Sequence, residues 1–381
     1  MPRARILDLR YDSTIICRST GYMSLRVYMT ETLAQTQGSP APSGSQPDAA
    51  SHLFQLATGY VVSSALWVAA ELGIADLLKN GPRPVVELAA QTKTDEGALY
   101  RALRLLAMVG IFAEIEPRHF ALTSAGELLR SDVPNSLRDA MVWIADPLHF
   151  QVAGDLLHSV KTGQPTVEHL TGKPAFEYFA ADPVEFDRFH RAMTTMSAMA
   201  IHAVLEVYDF SSFSTIVDVA GGHGYVLCEI LRKHPNLKGI LFDLPDVVQG
   251  GEHRIRQVAL DSRCRTAAGD FFKSVPEGGD LYLMKNIIHD WAEDRALTIL
   301  GNCHAALRGK PNGRLVLLEL VVPPGDVPHM SKIIDIEMLF FPGGRERTEQ
   351  EYAELFAKAG FRLTRVVPTK SPYSVIEARV A

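Results

Sequence analysis

The spacing of apolar residues changes once along the chain, near Tyr208. From Leu53 to about Leu170 apolar positions recur with the period of an α-helix. Past Tyr208, short apolar runs alternate with helical segments, which is typical of a parallel α/β sheet. Seven of these runs are predicted strands: 215–219, 239–242, 265–268, 281–285, 314–320, 361–366 and 373–379.

The connection before the last strand predicts how this sheet ends. Only about six residues separate the strands predicted at 361–366 and 373–379, whereas a parallel pair needs a crossover of a dozen residues or more. The last strand must therefore run antiparallel to its neighbour. The predicted fold is a doubly wound, mostly parallel, Rossmann-like α/β sheet with an antiparallel last strand.

Polar residues mark where two of the intervening helices begin. Thr348 and Glu351 have the spacing of a capping box, and Gly360 is placed to end that helix. Asp290 and Glu293 have the same spacing and predict a second capped start. Both starts lie between predicted strands, as an alternating α/β chain requires.

Within the helical part, one stretch predicts a winged-helix unit. Two helices joined by a short turn precede two short strands, at 85–90, 96–109, 111–115 and 120–122. Such a unit can bind DNA or mediate dimerisation. Asp95 and Glu96 at the start of the second helix would repel phosphates, and a net charge of −6 lacks the basic excess of nucleic-acid binders. We therefore predict a mostly helical winged-helix dimerisation domain and no nucleic-acid partner.

The ends of these patterns divide the chain into three segments. Residues 35–51 are rich in Gly, Pro, Ser and Gln and cannot bury enough apolar surface to offset the entropy of ordering. Residues 1–51 are therefore predicted to be a disordered segment and linker, 52–170 the winged-helix domain and 171–381 the sheet domain. Because residues 1–34 show no clean periodicity, we also expect translation to start at Met29.

Cysteine usage and hydropathy indicate a cytoplasmic protein without a membrane span. The four cysteines show no C-x-x-C spacing, which argues against a zinc cluster and a secreted disulfide framework. In the most apolar long stretch, Leu56 to Leu78, Glu71 and Asp76 would each cost about 2.5–3.5 kcal/mol near the centre of a bilayer. That stretch is better interpreted as a core or dimer helix, and we expect a homodimer.

A glycine-rich loop follows the first predicted strand and could hold a cofactor. The loop reads Asp218-Val219-Ala220-Gly221-Gly222-His223-Gly224. Its glycines would let a ligand approach the backbone where the next helix begins. A dinucleotide-binding fingerprint would need a third glycine where Leu227 stands, which disfavours an NAD-dependent oxidoreductase. Alone, the loop is equally compatible with a tight structural turn.

Acidic and aromatic residues follow the next two predicted strands. Asp243 ends the second strand, about twenty residues beyond the loop, where an acid can hold ribose hydroxyls. Asp270 and Phe271 follow the third strand, where they could accept from an adenine amine and pack on the base. Asp243 could instead cap the next helix and Phe271 could be core. Three features at successive strand ends favour a ligand site, because open α/β sheets bind ligands there.

Residues 210–380 resemble the plant and bacterial small-molecule O-methyltransferases of the caffeic acid and hydroxyindole type. Besides the loop that begins at Val217, the matching motifs are Phe242-Asp243-Leu244-Pro245, Gly269-Asp270-Phe271-Phe272, Lys285-Asn286-Ile287-Ile288-His289-Asp290-Trp291 and Pro342-Gly343-Gly344-Arg345-Glu346-Arg347-Thr348. Their order and spacing are highly specific. Ala220 departs from the pattern, because the family usually has glycine there.

The resemblance implies S-adenosylmethionine as the cofactor and methyl transfer to a hydroxyl of a small aromatic molecule. It implies Asp243 at the ribose, Asp270 and Phe271 at the adenine, and Lys285 near the cofactor. The full set of predicted cofactor-binding residues is Asp218, Ala220, Gly221, Gly222, Gly224, Asp243, Leu244, Asp270, Phe271 and Lys285.

His289, after the fourth strand, is the candidate general base. A phenol with a pKa near 10 is only about a thousandth ionised at neutral pH, and an imidazole with a pKa near 6.5 could take its proton. A lone histidine is more often a structural group, but His289 matches the family's catalytic histidine. Glu319 and Glu346 could converge on it, orient its ring and raise its basicity. Glu346 could otherwise pair with a neighbouring arginine.

The acceptor site is predicted from the resemblance and from helical spacing. The predicted acceptor-binding residues are Met193, Met196, Asn286, Met338 and Phe341. The methionines could instead be core, since a methionine stripe usually is. No metal is predicted, because the base itself removes the proton and no cluster of His, Asp and Glu at ligand spacing is evident.

Two other functions stay open at this point. Some bacterial members of the family bind the same cofactor but catalyse hydroxylation or decarboxylation, and the intact His289 and Glu346 count against that reading. A non-enzymatic winged-helix regulator is the other, and the acidic net charge disfavours it.

Overall fold

The computed structural model describes residues 48–381 of the chain. The contacts divide the chain between Gly59 and Tyr60, and the tertiary contacts of the helices and strands lie within Tyr60–Ala381. The predicted disordered segment up to residue 47 and the expected start at Met29 lie outside the described residues.

The N-terminal part of the described chain is helical, with one small sheet. Its helices are α1 Ala49–Glu71, α2 Ile74–Leu78, α3 Val85–Thr92, α4 Glu96–Met108, α5 Ser124–Glu127, α6 Arg138–Ile144, α7 Pro147–Gly154, α8 Leu156–Thr162, α9 Thr166–Thr171, α10 Ala175–Ala180 and α11 Pro183–Val207. The strands β1 Arg83–Pro84, β2 Phe112–Glu116 and β3 His119–Leu122 pair antiparallel in the order β1-β3-β2. The predicted helix, turn, helix and hairpin are confirmed, and β1 adds a strand that the sequence did not indicate.

The second part is built on a seven-stranded sheet. Its strands are β4 Thr215–Val219, β5 Lys238–Asp243, β6 Cys264–Ala268, β7 Leu281–Lys285, β8 Arg314–Glu319, β9 Phe361–Pro368 and β10 Ser374–Val380. Between them lie α12 Tyr225–Lys233, α13 Pro245–Gln257, α14 Glu293–Ala306, α15 Ser331–Phe340 and α16 Glu349–Lys358. The order is β6-β5-β4-β7-β8-β10-β9, and β10 runs antiparallel to both neighbours. The predicted mostly parallel sheet with an antiparallel last strand is confirmed.

The two faces of this sheet carry separate apolar cores. Along β4, Val217 and Val219 join a cluster with α14 and α16, whereas Ile216 joins a cluster with α11 and α12. Successive side chains of a strand point to opposite faces, so burial on both faces makes these strands apolar throughout. The carboxyl ends of the parallel strands β4 to β7 meet at one edge of the sheet.

Capping residues set the starts of two helices. Thr348 and Glu351 form the predicted capping box at the start of α16. Helix α1 begins at Ala49, ahead of the predicted domain start at residue 52. The reason is Asp48, whose carboxylate accepts from the N–H of Ala50 at 3.0 Å.

The predicted cap at Asp290 was wrong. Helix α14 begins at Glu293 after Ala292, and no side chain caps it. Asp290 lies instead in a short 3₁₀ turn, Ile288–Asp290. Its carboxylate lies 3.4 Å from Nε2 of His289. Asp290 therefore contacts a histidine instead of capping the helix.

Candidate active site

The glycine loop after β4 lies against the neighbouring strand β5. The N–H groups of Ala220 and Gly221 donate to the carbonyl of Phe242, at 2.7 and 3.3 Å. A Cβ at Gly221 would come within 2.5 Å of the Asp218 carboxylate and of Leu241, so only glycine allows this approach. The loop backbone is therefore held close to the strand ends, where a ligand can reach it.

Ala220 has a left-handed backbone conformation, with φ of 56°. A Cβ at such a φ destabilises the chain by about 1–2 kcal/mol, and glycine avoids this strain. We therefore expect Ala220→Gly to raise the free energy of unfolding by about 1 kcal/mol in urea denaturation. Ala305→Gly, on an exposed position of α14, is the matched control and should lower it by a similar amount. A loss of stability in Ala220→Gly would contradict the strain.

The Asp243 carboxylate is held by two backbone N–H groups at the end of β5. Oδ2 accepts from Gly222 at 2.8 Å, and Oδ1 accepts from Leu244 at 2.7 Å. Burial raises the pKa of Asp243, and these two hydrogen bonds oppose the rise. No side chain caps α13. The Asp243 carboxylate therefore supports the glycine loop. It does not cap helix α13.

Asp270 and Phe271 follow β6 at the same edge of the sheet. Asp270 accepts from the N–H of Phe272 at 2.9 Å and is half-buried. The ring of Phe271 lies edge-on to those of Phe272 and Trp291, with centroids 4.7 and 6.0 Å away. An aromatic surface therefore lies next to the end of β6.

Asp218 and Lys285 place opposite charges at the ends of the adjacent strands β4 and β7. Burial raises the pKa of Asp218 to about 7, the charge of Asp243 adds to the rise, and Lys285 opposes it. Burial also lowers the pKa of Lys285 to about 8, against the charges of Glu319, Asp290 and Asp218. Both groups titrate close to neutral pH, so a charged ligand at this edge would change their protonation.

His289 lies at the end of β7 and is surrounded by three carboxylates. It is 5% exposed. Its Nδ1 lies 2.7 Å from Oε1 of Glu346 and 3.8 Å from Oε2 of Glu319, and its Nε2 lies 3.4 Å from Oδ1 of Asp290. Glu319 also accepts from the N–H of Ile288 at 2.9 Å, which anchors the turn that carries the histidine. The structure thus brings together His289, Glu319 and Glu346 from three separate segments.

The surrounding charges set the pKa of His289. Burial alone would lower this pKa, but the charges of Glu346, Asp290 and Glu319 raise it to about 10. The ordinary imidazole value assumed from the sequence is therefore too low for this site. Burial in turn raises the pKa of Glu346 and brings the pKa of Asp290 to about 7. At neutral pH the resting side chain is therefore an imidazolium with a proton on each nitrogen, and it must release one of them before it can act as a base.

Gly344 fits the loop of Glu346 against the turn of His289, a role that the sequence analysis missed. The N–H of Arg345 donates to the carbonyl of His289 at 2.8 Å. A Cβ at Gly344 would overlap the backbone of His289 and Asp290. The short distance from His289 to Glu346 therefore depends on glycine at this position.

Arg347 joins the same two segments and was also missed. Arg347 is 1% exposed, and its guanidinium donates to the carbonyls of Ile288 and Trp291, at 3.2 and 3.3 Å. These acceptors lie on either side of His289, so Arg347 secures the turn that carries the candidate base. Gly344 and Arg347 stand in the motif that begins at Pro342, but their roles depend on contacts with a distant segment.

The expectation that no His, Asp and Glu cluster at ligand spacing was wrong. Ligand atoms of His289, Glu319 and Glu346 all lie within 4.8 Å of one another. These residues are far apart in sequence, and the strand ends bring them together. The same three residues are also arranged for proton transfer, because His289 and Glu346 are directly hydrogen-bonded.

Three of the predicted acceptor-binding residues pack in one apolar cluster. Met193, Met196 and Phe341 belong to it. Phe176 packs against the same cluster and stacks on Trp291, in the segment that follows the candidate base, with centroids 5.4 Å apart. The aromatic cluster therefore reaches the segment that carries His289.

Asn286 and Met338 lie outside that cluster. Asn286 has a left-handed backbone, with φ of 54°, and its Nδ2 donates to the hydroxyl of Tyr373 at 3.0 Å. Met338 uses its carbonyl to accept from the N–H of Gly343 at 2.9 Å. Met338 therefore supports the loop that bears Glu346, and Asn286 faces the connection between β9 and β10.

Buried polar atoms without a hydrogen-bond partner gather around this edge of the sheet. Six such side-chain atoms occur in residues 48–381. Four belong to residues of this region: Asp218 Oδ2, Asn286 Oδ1, Glu346 Oε2 and His190 Nε2. A buried polar atom without a partner destabilises a protein by about 1–3 kcal/mol. Their concentration beside a glycine cradle fits a polar ligand that completes their hydrogen bonds.

Comparison with protein families identifies two matching segments. Residues 154–362 match an O-methyltransferase domain, and residues 54–132 match an O-methyltransferase dimerisation domain. Together they cover most of the described chain. The second match contains the helices and the hairpin that form the winged-helix unit.

Individual relatives and a solved structure agree with these matches. The chain is 42% identical to a phenazine O-methyltransferase of Lysobacter antibioticus, over 86% of this chain and 95% of that protein. It is 36% identical to the O-demethylpuromycin-O-methyltransferase of Streptomyces alboniger, over 89% of this chain and 91% of that protein. The crystal structure of human N-acetylserotonin methyltransferase with S-adenosylmethionine superposes with a TM-score of 0.81 at 26% identity, over 89% of this chain and 99% of that one.

Proposed function

The chain belongs to the S-adenosylmethionine-dependent O-methyltransferases, and we propose that it methylates a hydroxyl group of a small phenolic or polyketide-like aromatic molecule, with His289 as the general base. The observation that carries the proposal is the buried pair of His289 and Glu346, 2.7 Å apart at the carboxyl edge of the sheet. The aromatic cluster that reaches Trp291 supports a flat acceptor. The names of the relatives, for a phenazine and for O-demethylpuromycin, support a ring-bearing acceptor as well.

We assign the cofactor contacts to residues at successive strand ends. S-adenosylmethionine supplies a methyl group on a positively charged sulfur. The glycine loop would face its amino-acid end, Asp243 with Leu244 its ribose, and Asp270 with Phe271 its adenine. The partnerless oxygen of Asp218 and the neighbouring Lys285 support a polar ligand above β4 and β7. The residues present fit this cofactor.

We expect Asp243→Ala to weaken cofactor binding by about 1.5–3 kcal/mol, because a carboxylate that accepts from ribose hydroxyls makes charge-assisted hydrogen bonds. The N–H of Gly222 would also lose its acceptor. Calorimetric titration with S-adenosylhomocysteine measures the change. Asp246→Ala, on an exposed carboxylate in the first turn of α13, is the matched control and should bind normally. Unchanged affinity in Asp243→Ala would place the ribose elsewhere.

His289 would receive the hydroxyl proton of the acceptor at Nε2, because Nδ1 is held by Glu346 at 2.7 Å whereas Asp290 approaches Nε2 only to 3.4 Å. Once the resting imidazolium has released a proton, its raised pKa of about 10 matches the pKa of a phenol, so the proton passes between groups of similar basicity. Glu346 and Glu319 stabilise the imidazolium that forms. The apolar cluster around Phe341 would exclude water and align the acceptor with the methyl group.

The function is tested with a panel of hydroxylated aromatic molecules. Each is incubated with the protein and methyl-labelled S-adenosylmethionine, and the products are analysed by mass spectrometry. A gain of one labelled methyl group on an acceptor oxygen supports the proposal. Loss of carbon dioxide or gain of oxygen without the label would assign the protein to a different reaction on the same cofactor, and no product across the panel would count against small phenols.

We further propose a homodimer, because α1 exposes large apolar side chains. These are Leu53, Phe54, Leu56, Tyr60 and Val61. By length and composition alone α1 could also cross a membrane, which is weak evidence, and a dimer interface explains the same apolar residues. Multi-angle light scattering should give twice the mass of one chain at micromolar concentration. Phe54→Asp should shift the mass towards the monomer, whereas a monomeric native protein would contradict the proposal.

We place the protein in the cytoplasm. The three cysteines among the described residues, Cys228, Cys264 and Cys303, are free and buried. Burial raises the pKa of each thiol, to between about 11 and about 12. Such thiols are inert apolar core groups, and they fit a reducing compartment.

A further inference from the structure

Two stacked histidines join the glycine loop to helix α11, and none of the roles assigned above uses them. The rings of His190, on α11, and His223, in the loop, have centroids 5.1 Å apart and planes inclined by 29°. A Cβ at Gly250 would come within 2.6 Å of the His223 ring. Glycine in α13 therefore leaves the space that this ring occupies.

His190 has a buried nitrogen without a partner. Its Nε2 has no hydrogen bond within the described part of the chain. The rings of Phe186 and Phe189 lie 4.3 and 5.2 Å away and provide no hydrogen bond of ordinary strength. Because such an atom is costly to leave unpaired, it points to a group that arrives with a ligand.

The strand order locates this nitrogen relative to the cofactor. The proposed ribose and adenine contacts follow β5 and β6, whereas His289 follows β7, on the other side of β4. The reactive methyl group must lie towards His289, and the amino-acid group of the cofactor is attached to the same sulfur. The loop of His223 follows β4, between these positions. In the proposed orientation, the pair of histidines would lie at the amino-acid end of the cofactor.

We propose that His190 Nε2 hydrogen-bonds the amino-acid group of S-adenosylmethionine, and that His223 holds the His190 ring in position through the stack. The proposal rests on the cofactor orientation assigned under the proposed function. It adds to the cofactor site a residue from α11, the helix that also carries Met193 and Met196 of the acceptor cluster. The same helix then contacts both the cofactor and the acceptor.

The charges around the pair agree with this role. Burial and the neighbouring His223 lower the pKa of His190 to about 4, against the charge of Asp187 on α11. Burial and Arg254 on α13 lower the pKa of His223, again against Asp187. Both rings are therefore neutral at physiological pH. A neutral ring does not repel the positive sulfur of the cofactor, as an imidazolium would.

The test compares two ligands that differ in the amino-acid group. S-adenosylhomocysteine carries it, and 5′-methylthioadenosine lacks it. In calorimetric titrations, His190→Phe keeps an aromatic ring against His223 and removes the nitrogen, so affinity for S-adenosylhomocysteine should fall about tenfold. Affinity for 5′-methylthioadenosine should not change. His202→Phe, on an exposed position of α11, is the matched control and should bind both ligands normally.

Two results would overturn the proposal. Unchanged affinity of His190→Phe for S-adenosylhomocysteine would show that the nitrogen makes no contact with the cofactor. An equal loss of affinity for both ligands would show that the ring only shapes the loop. If the native protein bound neither ligand, the cofactor site itself would be refuted. This result differs from the two above, and it does not depend on the identity of the acceptor because binding is measured without one.

Discussion

His289→Gln should lower turnover by roughly 10²- to 10⁴-fold and leave cofactor affinity unchanged. Glutamine remains polar, but it cannot accept a proton from a phenol. The proposed ribose and adenine contacts at Asp243 and Asp270 are untouched, so binding and chemistry should separate. Turnover is measured with an acceptor from the panel, and binding by titration with S-adenosylhomocysteine.

The loss in His289→Gln should depend on the acidity of the acceptor. A phenol with a pKa near 10 needs a base at neutral pH, whereas an acceptor with a hydroxyl pKa near 7 is already about half ionised and should lose far less turnover. Raising the pH should also restore turnover of the variant as phenolate forms. If the variant turned over both acceptors at the rate of the native enzyme from pH 6 to 9, His289 would not be the group that removes the proton.

The raised pKa of His289 predicts the direction of a pH shift. Turnover of the native enzyme should rise with pH as the imidazolium loses its proton. Because the charge of Glu346 raises this pKa, Glu346→Gln should lower it and move the rising limb to lower pH. The plateau should also fall, though by less than in His289→Gln, because the ring loses its orienting partner. Glu349→Gln, on an exposed carboxylate of α16, should leave the profile unchanged, and a shift of the Glu346→Gln limb to higher pH would contradict the assignment.

Gly344→Ala should lower turnover by about 10²-fold or more. The added Cβ overlaps the backbone of His289, so the two segments must move apart. The hydrogen bond from His289 to Glu346, now 2.7 Å, would lengthen or break. A displacement of about 1 Å in a catalytic group can reduce turnover by two orders of magnitude.

Gly301→Ala is the matched control for this substitution. Gly301 lies in α14 with no atom near its missing Cβ, so alanine should leave turnover unchanged and favour the helix by up to about 1 kcal/mol. Titration with S-adenosylhomocysteine and thermal unfolding of Gly344→Ala show whether the rest of the fold persists. Native turnover in a folded Gly344→Ala would mean that the two segments are not held as described.

Five of the seven strands, β4, β5, β7, β8 and β10, could be predicted from the sequence because they are buried on both faces. Residues such as Ile216 and Val217 face different cores, so the whole strand is apolar and stands out from its surroundings. The antiparallel last strand followed from the length of one connection. The capping box of Thr348 and Glu351 is local as well, since both partners lie within one turn of helix.

Contacts between distant segments could not be predicted in this way. Asp290 has the spacing of a helix cap, but a histidine next to it in the chain competes for its carboxylate, and only the path of the backbone decides between them. Gly344 and Arg347 belong to a motif that the sequence shows. Their functions depend on the backbone of the turn that carries His289, which lies more than fifty residues earlier in the chain.

The sequence by itself determined the order of the strands along the chain, the direction of the last one and the residue types that arrive at one sheet edge. These follow from periodicity, connection length and family motifs, which are properties of neighbouring residues. Only the tertiary structure decided that three carboxylates surround His289 and bring its pKa to about 10, and that His190 keeps a nitrogen without a partner beside the glycine loop. The physical reason is that pKa values and unpaired hydrogen-bonding groups depend on burial and on distances of a few ångströms between segments that the sequence places far apart.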